Sequence, residues 1–195
     1  MYRGVFLDRD GVINELIYYP EHGVVDSPFT VEQVRLIPGV CEAINKFHEL
    51  GFKVIIVSNQ PGMAKGYLSQ GVFDKIRKKM NDELAKEGAS CDGEYYCFHH
   101  PAAKVARLKT NCECRKPKPG LLLQAAKDLN IDLSRSWMIG DGLTDVQAGK
   151  SAGCRTILLG KMKCELCDLM DEQDARPDFV AANLLEAAKL IQRHK

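Results

Sequence analysis

Two aspartates, Asp8 and Asp10, directly follow a short apolar run near the start of the chain. A carboxylate at the end of a buried strand costs desolvation energy unless a partner offsets that cost. Alternate residues of an extended segment point to the same side, so both carboxylates can face one crevice while Arg9 points elsewhere. One carboxylate can then attack a phosphorus atom, and the other can transfer a proton. By itself, the stretch is equally compatible with a polar turn after a strand.

Polar residues also end two later apolar stretches, FKVIIVSNQ and SWMIGD, which are typical of buried strands. Ser58 and Asn59 lie at the end of the first stretch, and Asp141 ends the second. Ligands bind beyond the carboxyl ends of parallel strands, so we expect these side chains to share one crevice with Asp8 and Asp10. Carboxylates gathered there repel one another unless a cation lies between them. The cluster therefore predicts a site for Mg²⁺ and phosphate, because Mg²⁺ prefers oxygen ligands.

Short apolar runs alternate with longer amphipathic segments along the chain. Strands are predicted at 5–7, 52–60, 93–100, 136–141, 154–160 and 179–180, and helices at about 38–50, 69–87, 120–129, 143–152 and 184–192. Such alternation implies a parallel sheet with helices on both faces. We therefore predict an α/β fold with a central parallel sheet, in a single domain over residues 1–195.

An irregular loop at about residues 97–118 carries a second set of candidate metal ligands. They form two pairs with one intervening residue in each: Cys97, His99, Cys112 and Cys114. Three thiolates and one imidazole suit zinc in a closed tetrahedral site. His100 is a competing ligand, but His99 has the same parity as Cys97 in an extended segment. The alternative is a loop of free thiols and histidines.

Zinc in this loop would have a structural purpose, because an irregular segment of this length needs something to order it. Arg115 and Lys116 directly follow the last predicted ligand, so the metal would set the position of these two cations. We expect loss of zinc to loosen Lys116, although zinc does no chemistry. Cys164 and Cys167 lack two further ligands for a second zinc site, and we interpret them as surface thiols.

The ordered motifs of the chain resemble those of the haloacid dehalogenase (HAD) superfamily of phosphotransferases. FLDRDGVIN is similar to the first motif, VIIVSNQPG to the second, Lys116 in CRKPKPG to the third and MIGDGLTDVQAG to the fourth. The resemblance implies a Rossmann-like HAD fold with a minimal cap and a zinc-binding loop insert. It also implies a catalytic set made of Asp8, Asp10, Ser58 and Lys116.

The resemblance gives each motif residue a role. Asp8 attacks the phosphoryl group and forms an aspartyl phosphate, and Asp10 protonates the leaving oxygen and then activates water. Ser58 and Lys116 hold the transferred oxygens. Mg²⁺ is bound by Asp8, the backbone carbonyl of Asp10 and Asp141.

The role of Asp145 is open at this point. It could orient Lys116 or help to hold the metal shell. It could equally be an acidic residue in the first turn of a helix, where the helix dipole favours negative charge.

The cysteine loop resembles that of one group of enzymes within the superfamily. The pattern YYCFHHP followed by CECRKPKPG is similar to D-glycero-D-manno-heptose 1,7-bisphosphate 7-phosphatases and to the related histidinol-phosphate phosphatase domain. It implies the same four zinc ligands and substrate-binding roles for Asn59, Gln60, Arg115 and Lys116. The segment Leu16–Arg35 is longer than usual for this family and borders the predicted cleft.

The overall composition is that of an ordinary globular protein, with 45% hydrophobic and 27% charged residues. The net charge of +1 offers no electrostatic basis for binding nucleic acid or an acidic membrane. No signal peptide and no membrane-spanning run are visible, so we expect a cytoplasmic protein. We also expect it to be a monomer. Eight cysteines in that reducing setting favour metal binding or free thiols over disulfides.

These features together predict a Mg²⁺-dependent phosphoric monoester hydrolase that acts on a small phosphorylated metabolite, foremost a heptose bisphosphate. Histidinol phosphate is the alternative substrate. A polynucleotide 3′-phosphatase shares the four motifs but should carry a basic, aromatic-lined groove. A non-catalytic metal-binding protein should have lost Asp8, Asp10 or Lys116, and the chain keeps all three.

Overall fold

A six-stranded parallel sheet forms the centre of the protein in the computed structural model, which describes residues 1–21, 23–160 and 169–194. Its strands are β1 (Arg3–Leu7), β4 (Phe52–Asn59), β5 (Gly93–Cys97), β6 (Trp137–Gly140), β7 (Arg155–Leu159) and β8 (Phe179–Ala181). They lie in the order β5-β4-β1-β6-β7-β8, and every neighbouring pair is parallel. The predicted α/β fold with a central parallel sheet is confirmed.

Helices cover both faces of this sheet, as the alternating pattern predicts. They are α1 (Val40–Glu49), α2 (Gly62–Lys65), α3 (Gln70–Lys86), α4 (Gly120–Asp128), α5 (Leu143–Ser151) and α6 (Leu184–Arg193). The buried residues of α1 and α6 and most of those of α3 belong to the core cluster on one face, and those of α4 and the buried Ala148 of α5 belong to the cluster on the other. None of the helices in the described residues is long and apolar enough to cross a membrane.

Strand β1 shows how the sequence places the site. Val5, Phe6 and Leu7 are fully buried, and they alternate between the two core clusters because successive strand residues face opposite sides. Leu7 pairs with Ile56 of β4 and Ile139 of β6. The three strands therefore reach the same edge of the sheet in register, and the polar residues that follow them meet there.

The sequence pattern does not predict two small elements, because each is too short to show a period. The segment Leu16–Arg35 contains an antiparallel hairpin of β2 (Ile17–Tyr19) and β3 (Val24–Asp26), and α2 is a single turn after β4. The other helix and strand boundaries agree with the predictions to within a few residues. Cys164 and Cys167 lie outside the described residues.

Candidate active site

A buried ion cluster occupies the carboxyl edge of the sheet, with Lys116 at its centre. Lys116 Nζ lies 3.0 Å from Asp8 Oδ1 and 2.6 Å from Asp145 Oδ1, and it donates a hydrogen bond to the Val57 carbonyl at 2.9 Å. The Lys116 and Asp145 side chains are 1% and 2% exposed. Burial disfavours the ammonium, but the charges of Asp145 and Asp8 outweigh it and raise the pKa of Lys116. The lysine therefore stays charged beside the predicted nucleophile.

Asp141 joins this cluster from the end of β6. Carboxylate oxygens of Asp8, Asp141 and Asp145 lie within 4.8 Å of one another. Partial burial, together with the negative charges of Asp8 and Asp145, raises the pKa of Asp141 to about 7. A Cβ at Gly11, which has a left-handed φ of 79°, would collide with the Asp141 carboxylate. One lysine does not neutralise three carboxylates, so the donor set fits a hard dication such as Mg²⁺.

Asp145 has two of the three features that the sequence left open: it contacts Lys116, and it lies in the first turn of α5. One carboxylate oxygen contacts Lys116, and the other accepts a hydrogen bond from the Gly142 backbone N–H at 3.1 Å, at the N-terminus of α5. A Cβ at Gly140 would collide with the Asp145 side chain. The fourth motif therefore needs a glycine at position 140, so that the Asp145 side chain can pack against the end of β6.

Asp10 lies outside the metal cluster, in a clamp of three side chains. Its Oδ1 accepts hydrogen bonds from Arg9 Nε at 3.1 Å, Arg9 Nη2 at 2.9 Å and Asn14 Nδ2 at 2.9 Å, and its Oδ2 accepts from Gln60 Nε2 at 2.6 Å and from Arg9 Nη2 at 3.1 Å. The expectation that Arg9 points away from this pair is wrong. The strand ends at Leu7, so the alternation of sides does not extend to residue 9.

The residues at the end of β4 have contacts that the sequence did not predict. Ser58 is 1% exposed, and its hydroxyl accepts a hydrogen bond from Gln60 Nε2 at 3.1 Å. Asn59 donates to the Lys116 carbonyl and accepts from the Lys116 N–H, both at 3.0 Å. The amides of Asn59 and Gln60 are therefore used to position Lys116 and Asp10. Their predicted contact with substrate stays a prediction.

The four candidate zinc ligands converge at the end of β5. The thiols of Cys97, Cys112 and Cys114 lie 3.2 to 3.5 Å apart, and His99 Nδ1 lies 3.5 Å from the Cys114 sulfur. Sulfurs on a tetrahedral zinc with bonds of about 2.3 Å lie about 3.7 Å apart, so this set fits zinc after a small expansion. His100 instead accepts a hydrogen bond from the Ala102 N–H at 3.1 Å, in agreement with the choice of His99.

The cysteine cluster is directly connected to the ion cluster through two consecutive residues. The Arg115 guanidinium donates to the His99 carbonyl at 3.3 Å, and Lys116 is the next residue. On the other side of the loop, a Cβ at Gly120 would collide with the Glu113 carbonyl, which indicates how tightly the chain turns back into α4. A metal in the cysteine cluster would therefore support the backbone that carries Lys116.

Comparison with known proteins identifies the family of the chain. Residues 113–187 match the family model described as HAD-hydrolase-like. The chain is 38% identical over 191 residues to the D-glycero-beta-D-manno-heptose-1,7-bisphosphate 7-phosphatase of Yersinia pestis, covering 96% of this chain and 94% of the relative. It is 34% identical over 194 residues to the Escherichia coli K12 protein of the same name, covering 98% and 94%.

A solved structure has the same fold over nearly the whole chain. It is the D,D-heptose 1,7-bisphosphate phosphatase from B. bronchiseptica complexed with magnesium and phosphate, with a TM-score of 0.78, 27% identity and coverage of 99% of both chains. The matches to the two relatives cover 96% and 98% of this chain. The chain is a HAD-like phosphatase, a phosphoric monoester hydrolase, and it belongs to the family of D-glycero-beta-D-manno-heptose-1,7-bisphosphate 7-phosphatases.

Proposed function

We propose that this enzyme removes the 7-phosphate of D-glycero-β-D-manno-heptose 1,7-bisphosphate. The observation that carries the proposal is the contact of Lys116 with Asp8, inside a carboxylate cluster at the ends of β1 and β6, in a chain whose relatives bear that activity in their names. The test is a panel of phosphorylated sugars and histidinol phosphate, ranked by kcat/KM. A higher value for histidinol phosphate than for every sugar bisphosphate would overturn the substrate assignment.

The reaction proceeds in two steps on this chain's own side chains. An Asp8 carboxylate oxygen forms a bond to phosphorus while the bond from phosphorus to the sugar oxygen breaks, and Asp10 gives that oxygen a proton. A water oxygen then attacks the phosphorus of the aspartyl phosphate and passes a proton to Asp10, and Asp8 leaves as a carboxylate. Ser58 and Lys116 bind the phosphoryl oxygens throughout.

Asp8, Asp141 and the backbone carbonyl of Asp10 would hold Mg²⁺, which supplies positive charge to the phosphoryl oxygens when it is bound. Support comes from the three carboxylates that lie within 4.8 Å of one another and from the magnesium in the related B. bronchiseptica structure. In this arrangement Asp145 stays on Lys116 and outside the inner set of metal ligands.

Magnesium should stabilise the folded protein measurably, because it relieves the repulsion among these carboxylates. At one hundred times its Kd, Mg²⁺ should add about 2.7 kcal/mol to the free energy of unfolding. The Asp141→Asn variant should be more stable than wild type without metal and should gain little from Mg²⁺. Urea unfolding with and without Mg²⁺ measures both effects. An equal Mg²⁺ effect in the variant would contradict the site.

A zinc ion held by Cys97, His99, Cys112 and Cys114 serves a structural purpose. The Cys112→Ser variant should lose nearly all bound zinc by elemental analysis, and its kcat/KM should fall about tenfold or more because the chain that carries Lys116 loosens. Cys91→Ser, which changes a cysteine outside the cluster, is the matched control and should keep zinc and activity. A zinc-free Cys112→Ser enzyme with unchanged kcat/KM would refute the purpose proposed for the metal.

The segment that contains the hairpin and the cysteine loop both contact α2 or the residues that directly follow it. Tyr19 stacks on Phe29 at 4.6 Å between ring centroids, and Phe29 contacts Tyr67 at 5.0 Å. From the other side, the N–H groups of Lys104 and Val105 both donate to the Ala64 carbonyl. These insertions recognise the sugar, with Arg115 as the substrate-binding cation, and residues 1–195 act as one phosphatase domain. That the protein acts as a monomer in the cytoplasm stays a prediction.

A further inference from the structure

Asp10 accepts more hydrogen bonds than are needed to keep a buried carboxylate stable in the folded protein. A carboxylate has about four lone-pair sites, and Asp10 accepts five hydrogen bonds from three side chains. Arg9, Asn14 and Gln60 are 1%, 2% and 4% exposed, whereas Asp10 is 9% exposed. The carboxylate is thus held by buried donors and keeps a small part of its own surface accessible.

The clamp also carries an energetic cost that packing does not explain. Arg9 Nη1 is buried and has no hydrogen-bond partner in the described part of the chain, and the guanidinium lies 5.6 Å from the centroid of the Phe73 ring. A buried N–H without a partner costs about 1–3 kcal/mol. An apolar side chain at this position would avoid that cost. The arginine is therefore better explained by what it does to Asp10 than by its contribution to stability.

Gln60 connects the clamp to the phosphoryl-binding side of the site. Its single side-chain nitrogen donates both to Asp10 at 2.6 Å and to the Ser58 hydroxyl at 3.1 Å, and its oxygen accepts from Arg9 at 2.8 Å. The amide therefore fixes the distance between the group that binds the transferred phosphoryl oxygens and the group that transfers protons. Removal of the Gln60 amide should displace Asp10 relative to the phosphorus and leave the positions of Asp8 and Lys116 unchanged.

We propose that Arg9 and Gln60 are positioning residues that hold Asp10 as a proton acceptor for the second step, the hydrolysis of the aspartyl phosphate. The inference rests on the proposed function. The three side chains of the clamp contact Asp10 only as donors, and neither a guanidinium nor an amide nitrogen can accept a hydrogen bond in return. This arrangement suits the step in which Asp10 takes a proton from the attacking water. In that step an O–P bond forms, the Asp8 O–P bond breaks and inorganic phosphate leaves.

The inference is tested with Gln60→Met, which keeps the length of the side chain but removes both hydrogen-bonding groups, and p-nitrophenyl phosphate as the probe. Its leaving group needs no proton, so formation of the aspartyl phosphate needs little help from Asp10. Steady-state turnover should fall about 10–100-fold, within the range for proton-transfer catalysis, while the first turnover changes by less than about threefold. Stopped-flow absorbance should therefore show a burst close to one nitrophenolate per enzyme.

Arg9→Met should show the same burst, and Arg9→Lys should restore part of the steady-state rate because it returns one donor to Asp10. The control is Ser136→Ala, which removes a buried hydroxyl that donates to Asp132 and accepts from Gly4 at the opposite edge of the sheet. It should lower stability without a burst. If Arg9→Met does not fold, the Gln60→Met result decides alone.

Two results would overturn the inference while leaving the phosphatase assignment intact. One is Gln60→Met with wild-type turnover and no burst. The other is an equal loss in the first and later turnovers, which would mean that the clamp serves both steps or only folding. By contrast, wild-type enzyme that releases no nitrophenolate and no phosphate from any sugar phosphate would count against the proposed function itself.

Discussion

Replacing Asp8 by asparagine should lower kcat/KM for phosphate release by about 10⁴-fold or more, because the attacking oxygen of the first step is lost. Asparagine has nearly the same shape as aspartate, and its side-chain oxygen can still accept hydrogen bonds from Lys116 and from the Arg9 N–H, which contact Asp8 at 3.0 and 2.7 Å. The measurement is phosphate release from the heptose bisphosphate and from p-nitrophenyl phosphate at saturating Mg²⁺.

The Asp8→Asn variant should remain folded, which makes the loss interpretable. Its melting temperature should stay close to that of wild type, since one negative charge is removed from a cluster that holds three carboxylates. Retention of more than about 1% of wild-type kcat/KM in a preparation free of wild-type enzyme would contradict the role of Asp8 as the nucleophile.

Replacing Lys116 by methionine should damage both activity and folding. The variant keeps much of the side-chain volume but leaves the Asp8 and Asp145 carboxylates without their cation in a buried site. Removing one partner of a buried ion pair typically costs about 3–5 kcal/mol of stability. Loss of the positive charge on the phosphoryl oxygens should lower kcat/KM by about 10²–10³-fold. Urea unfolding and steady-state kinetics measure the two effects separately.

A double variant separates the two effects within one protein. Lys116→Met with Asp145→Asn removes the uncompensated charge on Asp145, which is 2% exposed, and should recover a large part of the lost stability. It should recover none of the activity, because the phosphoryl oxygens still lack the ammonium. If stability and activity returned together, the low activity of the single variant would be an effect of misfolding, and Lys116 would have no catalytic role.

The sequence was enough to place Asp8, Ser58 and Asp141 at one edge of the sheet. The reason is that β1, β4 and β6 are continuous apolar runs with obvious ends, and parallel neighbours align those ends. The candidate zinc ligands could also be found from the sequence, because residues two apart in an extended segment point to the same side. Motif resemblance added Lys116, which has no local pattern of its own.

The contacts that arrange these residues could not be predicted from the sequence. Asn59 binds the backbone of Lys116, which is 57 residues away, and Gln60 binds Asp10 across 50 residues. Such hydrogen bonds depend on side-chain rotamers and on the separation of adjacent strands, and neither leaves a periodic signal. The predicted direction of Arg9 was wrong for a related reason, because Arg9 lies two residues past the end of β1 and its direction depends on the turn that follows.

The central claim, that Asp8 carries the phosphoryl group, is tested most directly by trapping the aspartyl phosphate. The enzyme is mixed with substrate, quenched within the first turnover and treated with borohydride, which reduces an acyl phosphate to homoserine. Trypsin cuts after Arg3 and Arg9, so Asp8 and Asp10 fall in different peptides. Mass spectrometry should find homoserine at position 8 in the peptide GVFLDR. Homoserine in the peptide that begins at Asp10, or none in either peptide during active turnover, would contradict the account.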